Sequence, residues 1–282
     1  MFTIIIPSYN EENYIGACLE AIRQQSGLRA DHGIQVVVAA NACKDRTVAI
    51  ATEAEDGLHK AGFSTVVLDI KQAGKMNAIN TAESHASFDN RVYLDADVII
   101  SPQLLAEMAT ALDQPDPVYV SGTVQIPRSK SWVTRAYAKV WAQLPFVRDG
   151  VPGIGLYAFN AAGRARWDEF PAIYSDDRFV RLQFAPSERV KLAATYEWPL
   201  PVGFSNMVKV RRRWCEGNDE LHEVFPQLMV NDSQRNNSPS NMLSLLKTPL
   251  SSAVFVSIYL VSWALAKMRS RDAAFHWRRG RV

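Results

Sequence analysis

Phe2-Thr3-Ile4-Ile5-Ile6-Pro7-Ser8-Tyr9-Asn10-Glu11 opens on an apolar, β-branched run that stops at a proline and turns polar. A run this short, ended by a breaker, predicts a buried strand at Phe2–Ile6. The same change of character recurs downstream. Ile34–Ala39, Val66–Ile70 and Arg91–Leu94 read as further strands. Between them Glu11–Gln25, Asp45–Lys60 and Lys75–Ser84 read as helices, the first with Ile15, Leu19 and Ile22 at helical spacing. This alternation implies right-handed crossovers and an α/β, Rossmann-like, mostly parallel sheet flanked by helices. Such sheets bind ligands beyond the carboxyl ends of their strands. The segments standing there are Pro7–Glu11, Asn41–Asp45, Gly74-Lys75 and Asp95-Ala96-Asp97.

From Asp116 the alternation fades. Val118–Gln125 reads as a strand and Ser131–Leu144 as a helix. Gln227–Ser240, rich in Asn, Ser and Asp, reads as a linker. Leu250–Ala266 is 17 residues without a charge, at the lower edge of what spans a bilayer. The end that follows is basic, with Lys267, Arg269, Arg271, Arg278, Arg279 and Arg281 against Asp272. A single crossing would put that end opposite a cytosolic domain, against the positive-inside tendency. An interfacial helix or a re-entrant hairpin keeps both on one side. A helix buried by packing is the plain alternative.

The hydrophobic share of 48% supplies an ample core, and a net charge of +2 with pI about 8.4 gives no global pull toward nucleic acid. Cys18, Cys43 and Cys215 form neither a CxxC pair nor an even framework, so reduced thiols and a cytosolic setting are expected. Met1–Ile6 runs straight into Pro7 and is too short for a signal-peptide core.

Each chemical motif has a plain reading beside a functional one. Asp95 and Asp97 at a strand end suit Mg²⁺ or Mn²⁺ on a diphosphate; alternatively they cap a helix. Gly74-Lys75 opens a helix and suits phosphate; alternatively Lys75 is a solvated lysine. Asp176-Asp177 lies at a helix start, where acids favour the dipole. Adjacent like charges in a cleft also raise one another's pKa, which suits a general base. Arg211-Arg212-Arg213-Trp214 is either a basic surface or a set of forks for a diphosphate with a ring for stacking. Gly153-Ile154-Gly155-Leu156-Tyr157-Ala158 fits G-x-G-x-x-A in form but follows Pro152, not a strand, so no dinucleotide site is expected there.

Together these motifs resemble inverting family 2 glycosyltransferases of the A-type fold. The resemblance covers residues 2 to about 217, with the motifs in the family's order. Thr3–Glu12 is similar to the opening strand and nucleotide loop, and Val36–Thr47 to the second donor loop. Gly74–Asn80 is similar to the Gly-Lys-x-x-Ala-x-Asn segment, and Tyr93–Asp97 to the metal-binding strand end. Asp176-Asp177 resembles Glu-Asp, whose second acid is the base, and Arg213-Trp214 the end of Gln-x-x-Arg-Trp. There are departures. Ala40 or Asn41 replaces the acid that reads the nucleobase. Asp176 replaces the usual Glu. Val210 stands where processive synthases have Gln, which argues against processive synthesis.

The resemblance implies a metal-dependent enzyme that moves a sugar, with inversion, from a nucleotide diphosphate to a hydroxyl acceptor, in cell-envelope polysaccharide or glycolipid synthesis. Pro7, Tyr9, Glu11, Asn41, Asp45, Lys75, Asp95, Arg213 and Trp214 would bind the donor. Asp97, with Asp95, would hold the divalent cation, and Asp177, beside Asp176, would be catalytic. The catalytic domain is expected over 1–226, with a nucleotide-binding half to about 115 and an acceptor half after it. A linker at 227–242 and a helical, membrane-associated appendage at 243–282 would follow. The acceptor is expected to be lipid-linked or a glycan, and the enzyme to work at the cytoplasmic face of the membrane without nucleic acid. The alternatives are a nucleotidyltransferase acting on a sugar phosphate and a non-catalytic, membrane-bound nucleotide-sugar sensor.

Overall fold

The computed structural model describes residues 1–29, 33–232 and 248–268, which form two compact units. The first comprises residues 1–125, 153–172 and 176–198 and carries an eight-stranded sheet. It begins with β1 (Phe2–Ser8), α1 (Ile15–Arg23), β2 (Ile34–Asn41), α2 (Thr47–Lys60), β3 (Ser64–Ile70) and α3 (Lys75–Glu83). Then come β4 (Arg91–Leu94), β5 (Ile99–Ile100), α4 (Leu104–Leu112) and β6 (Tyr119–Gln125). The chain leaves for the second unit through α5 (Trp132–Trp141) and α6 (Pro145–Arg148). It returns as β7 (Leu156–Phe159), α7 (Ala161–Arg164), α8 (Asp176–Leu182) and β8 (Arg189–Glu197). Two further helices, α9 (Phe204–Val224) and α10 (Pro249–Lys267), belong to the second unit, which comprises residues 126–152, 173–175 and 199–282.

The strand order is β3-β2-β1-β4-β7-β6-β8-β5. The first four strands are parallel, with Ile4 beside Val36 and Ile5 beside Tyr93. Every residue of β1 and β2 is buried, as in a parallel sheet covered on both faces. That two-sided burial is why both are mostly apolar, the buried Thr3 and Gln35 pairing with each other at 2.9 Å. β3, at the end of the sheet, is partly exposed. β1 lies between β2 and β4, so the strand order reverses beside it. A crevice is expected at the carboxyl ends of such a pair.

Four of the seven strand pairings are parallel and three are antiparallel. The antiparallel ones come from β7, slotted between β4 and β6, and from β5 against β8. In β7, Tyr157 lies opposite Tyr93 and their rings stack at 5.0 Å; Tyr119 of β6 follows at 6.1 Å. These cross-strand aromatic pairs fasten the antiparallel half to the parallel half. The Gly153–Gly155 stretch leads into this strand and not into a helix.

In the second unit α10 packs on α9 and α5. Pro226–Asn231 forms a 3₁₀ turn. The remainder of the expected linker, and the basic tail from Arg269 onward, lie outside the described residues.

Candidate active site

The loops after β1 and β2 are laced together by backbone donors. Glu12 N donates to Asp45 Oδ2 at 3.1 Å, Lys44 N to Asn10 Oδ1 at 2.8 Å and Glu11 N to Thr47 Oγ1 at 2.7 Å. Asp45 Oδ1 also accepts from Thr47 N at 3.0 Å. Burial would raise the Asp45 pKa, but these donors outweigh it and hold the carboxyl below its ordinary value. Asn10 and Ala42 sit at φ 53° and 49°, the left-handed region that disfavours side chains. The bond from Ala42 N to Ile70 O, 2.7 Å, helps hold the second of them. Pro7 is buried, while Tyr9 and Glu11 are half-buried. Asn41 is 1% exposed, and neither polar atom of its carboxamide has a hydrogen-bond partner. An unsatisfied buried amide is costly and wants a reason.

Beyond β4 the chain makes a tight turn, Val98 N donating to Asp95 O at 3.1 Å. Ala96 is buried while Asp95 and Asp97 keep partial exposure. Asp95 N donates to Gly155 O at 2.8 Å, so the segment before β7 supports the turn. Gly155 has φ +73°, and an added Cβ would lie 2.6 Å from Trp198 Cδ1. Gly155→Ala should therefore cost about 1–3 kcal/mol in a urea unfolding series. An unchanged midpoint would show that this turn absorbs the methyl. Beneath the turn, burial first and then Asp97, Asp95 and Glu11 raise the Cys18 thiol pKa. Cys18 Sγ lies 3.9 Å from Asp95 O, so the buried thiol sits against this turn.

Lys75 opens α3 just after Gly74, which takes φ 140°. Its ammonium lies 3.0 Å from the Asp176 carboxylate and 3.5 Å from Asp95 Oδ1. Burial alone would lower its pKa, but Asp176 and Asp95 outweigh burial and hold it above the ordinary lysine value. Tyr157 Oη donates to Asp176 Oδ2 at 3.3 Å. Asp177 Oδ1 accepts from Arg178 N at 2.7 Å. Burial, then the charge of Asp176, pushes the Asp177 carboxyl up to about 6, against the pull of Lys75. The helix start thus carries Asp176, held by Lys75 and Tyr157, beside Asp177, whose carboxyl burial and that neighbour raise.

Lys75, Asp95, Asp176 and Asp177 are brought together within the first unit. Arg213 and Trp214 are half-buried on α9, in the second unit. Tyr157 was not singled out from the sequence. Its bond to Asp176 bridges 19 positions, and no local pattern announces it.

The model of a family described as Glycosyl transferase family 2 matches residues 3–169. Among solved structures, the chain is similar to S. aureus TarS 1-349 in complex with UDP, at 15% identity and TM-score 0.53 over 90% of this chain and 70% of that one. The same TarS fragment in complex with UDP-GlcNAc matches at 14% identity and TM-score 0.52, covering 94% of this chain and 79% of that one. The mannosyltransferase PcManGT from Pyrobaculum calidifontis, in complex with GDP-Man and Mn2+, matches at 20% identity and TM-score 0.58, covering 95% of this chain and 76% of that one. No curated protein matches in sequence. The observed architecture is the A-type fold that the motifs imply.

Proposed function

Because this chain belongs to glycosyl transferase family 2, we propose that it moves a sugar from a nucleoside diphosphate onto a hydroxyl acceptor, with inversion. The observation that carries this reading is the clasp of Lys75 on Asp95 and Asp176, with Asp177 beside it tuned to about 6. A base with that pKa is ionised at neutral pH and still basic enough to take a hydroxyl proton. The acceptor oxygen bonds to the anomeric carbon, its proton passes to Asp177, and the bond from that carbon to the diphosphate breaks. The nucleoside diphosphate leaves with the electron pair. Positioning and charge stabilisation supply most of the rate.

Pro7, Tyr9, Glu11, Asn41 and Asp45 are assigned to the nucleoside. A base edge that reached Asn41 would satisfy an amide that otherwise has no partner. Lys75 is assigned to the donor, and Arg213 and Trp214 to the leaving group and sugar. The two carboxylates at the β4 turn fit a hard divalent cation, which commonly takes one or two carboxylates and fills its shell from substrate phosphates. Asp97, with Asp95, would hold the ion, which when bound neutralises charge on the departing diphosphate. Support comes from neighbours solved with UDP, UDP-GlcNAc, and GDP-Man with Mn2+. The apolar stretch 250–266 favours a lipid-linked or membrane-delivered glycan acceptor at the cytoplasmic face.

The test is incubation with Mn²⁺ or Mg²⁺ and a panel of nucleotide sugars. Nucleoside diphosphate should appear, stop with EDTA and resume on added metal. Its rate should climb as pH rises through about 6. Pyrophosphate released from a nucleoside triphosphate and a sugar phosphate would replace this reading with nucleotidyl transfer. A metal-dependent thermal shift without turnover would replace it with a sensor.

A further inference from the structure

We infer that the second unit is a docking surface for an anionic lipid bilayer, with α10 lying in the plane of the interface and not crossing it. The inference rests on the membrane-facing part of the proposed function and adds the arrangement and the lipid charge.

Leu250–Ala266 is apolar on all sides, yet α10 buries only Ile258 and Ser262. Its outer face carries Ala253, Val256, Leu260 and Trp263 at spacings of three and four, all exposed; Leu260 is 55% and Trp263 49% exposed. A helix on a water-facing surface has the opposite pattern. Among the described residues, every exposed large apolar side chain except Met1 and Val190 belongs to this unit. Concentration of that kind marks an interaction surface.

Length alone would allow a crossing, since 19 residues rise about 28 Å. Packing argues against it. The Arg211 guanidinium lies 4.4 Å over the Tyr259 ring, Phe255 stacks on Tyr137 at 4.9 Å, and Lys267 Nζ reaches Asp219 Oδ2 at 2.7 Å. These contacts fall on most of the length of α10. A spanning α10 would either carry Arg211 into hydrocarbon or tear away from α9. Within Pro249–Lys267 the helix is continuous, with no break at which this segment could turn back on itself. Lying flat keeps the packed face toward protein and gives the outer stripe to lipid.

Charge selects the lipid. By sequence the second unit carries seventeen Lys and Arg against seven Asp and Glu, a net of +10, of which ten and six, a net of +4, lie among the described residues; the first carries fourteen against twenty-two, a net of −8. The overall +2 conceals this division. A basic unit with an exposed apolar helix fits anionic headgroups over an acyl boundary.

The test uses the full chain with a protease-cleavage site appended after Val282 and sealed phosphatidylcholine vesicles with or without phosphatidylglycerol. The protein should sediment with anionic vesicles at least about tenfold more tightly than with neutral ones, and less tightly in high salt. Protease added outside should cut the appended site completely. Leu260→Glu combined with Trp263→Glu, both at exposed positions, should weaken binding at least about tenfold without altering release of nucleoside diphosphate. Protection of the appended site until detergent is added would overturn the in-plane arrangement alone, leaving a spanning helix. Equal binding to neutral and anionic vesicles would overturn the choice of lipid. No vesicle binding, with a concentration-dependent dimer lost in the double variant, would overturn both and assign the face to a second copy of this chain. Donor turnover, read separately, is indifferent to all of these.

Discussion

Asp177→Asn should bind a nucleotide sugar as the parent does and release nucleoside diphosphate about 10²–10⁴ times more slowly. The amide keeps the shape of the carboxyl and loses only the ability to take the acceptor proton. Donor affinity by calorimetry and turnover by product release separate the two effects, and unimpaired turnover at pH 8 would remove Asp177 as the base. The same variant should melt a few degrees higher than the parent at pH 8. Burial and Asp176 raise the folded pKa of Asp177 from 3.8 to about 6. A carboxyl raised in the fold contributes its stability below the unfolded pKa and loses it as pH rises through the folded value. The parent therefore bears an ionisation penalty above about pH 6 that the amide escapes, and the gap should close toward pH 4.

Lys75→Met should be inactive, by about 10² or more, and less stable by about 3 kcal/mol at pH 8. The methionine keeps most of the stem but removes the ammonium that Asp176 and Asp95 share at 3.0 and 3.5 Å. Asp176 is 7% exposed on its side chain, so water cannot replace the lost partner. Asp95, Asp176 and Asp177 would then repel one another without a cation between them. Lowering the pH through about 6 protonates Asp177 and relieves part of that repulsion, so the stability loss should shrink by pH 5. Urea unfolding at both pH values checks this. An equal loss at both would mean that the lysine acts through the packing of its stem.

The parallel half of the sheet was legible because burial on both faces leaves its central strands dominated by apolar, β-branched residues. β4 matches its expected range, Arg91–Leu94, and β1 and β2 extend theirs by two residues each at the carboxyl end. The antiparallel insertions were not legible. β5 has two residues, too few to show a period. β7 has four, fully buried, and follows Pro152 and two glycines, which read as a loop. β8 mixes buried and exposed positions without clean alternation, and its pairing with β6 shifts register near Ser121 and Thr123. Of the site, the strand-end rule alone pointed to Lys75, Asp95 and Asp97. The adjacent charges of Asp176-Asp177 suggested a general base, and choosing Asp177 of the two needed the family resemblance. Tyr157 needed coordinates, because a hydrogen bond between a strand and a distant helix leaves no trace in local spacing.

The clasp on Lys75 also orders events during synthesis. Lys75 and Asp176 are 101 positions apart, and closing so long a loop is an entropic cost met late in folding. A nascent chain that has released Asp95 but not Asp176 can form only the weaker half of the contact. Helix content should consequently return before turnover when the denatured enzyme refolds, and recovered activity reports a finished molecule where circular dichroism does not.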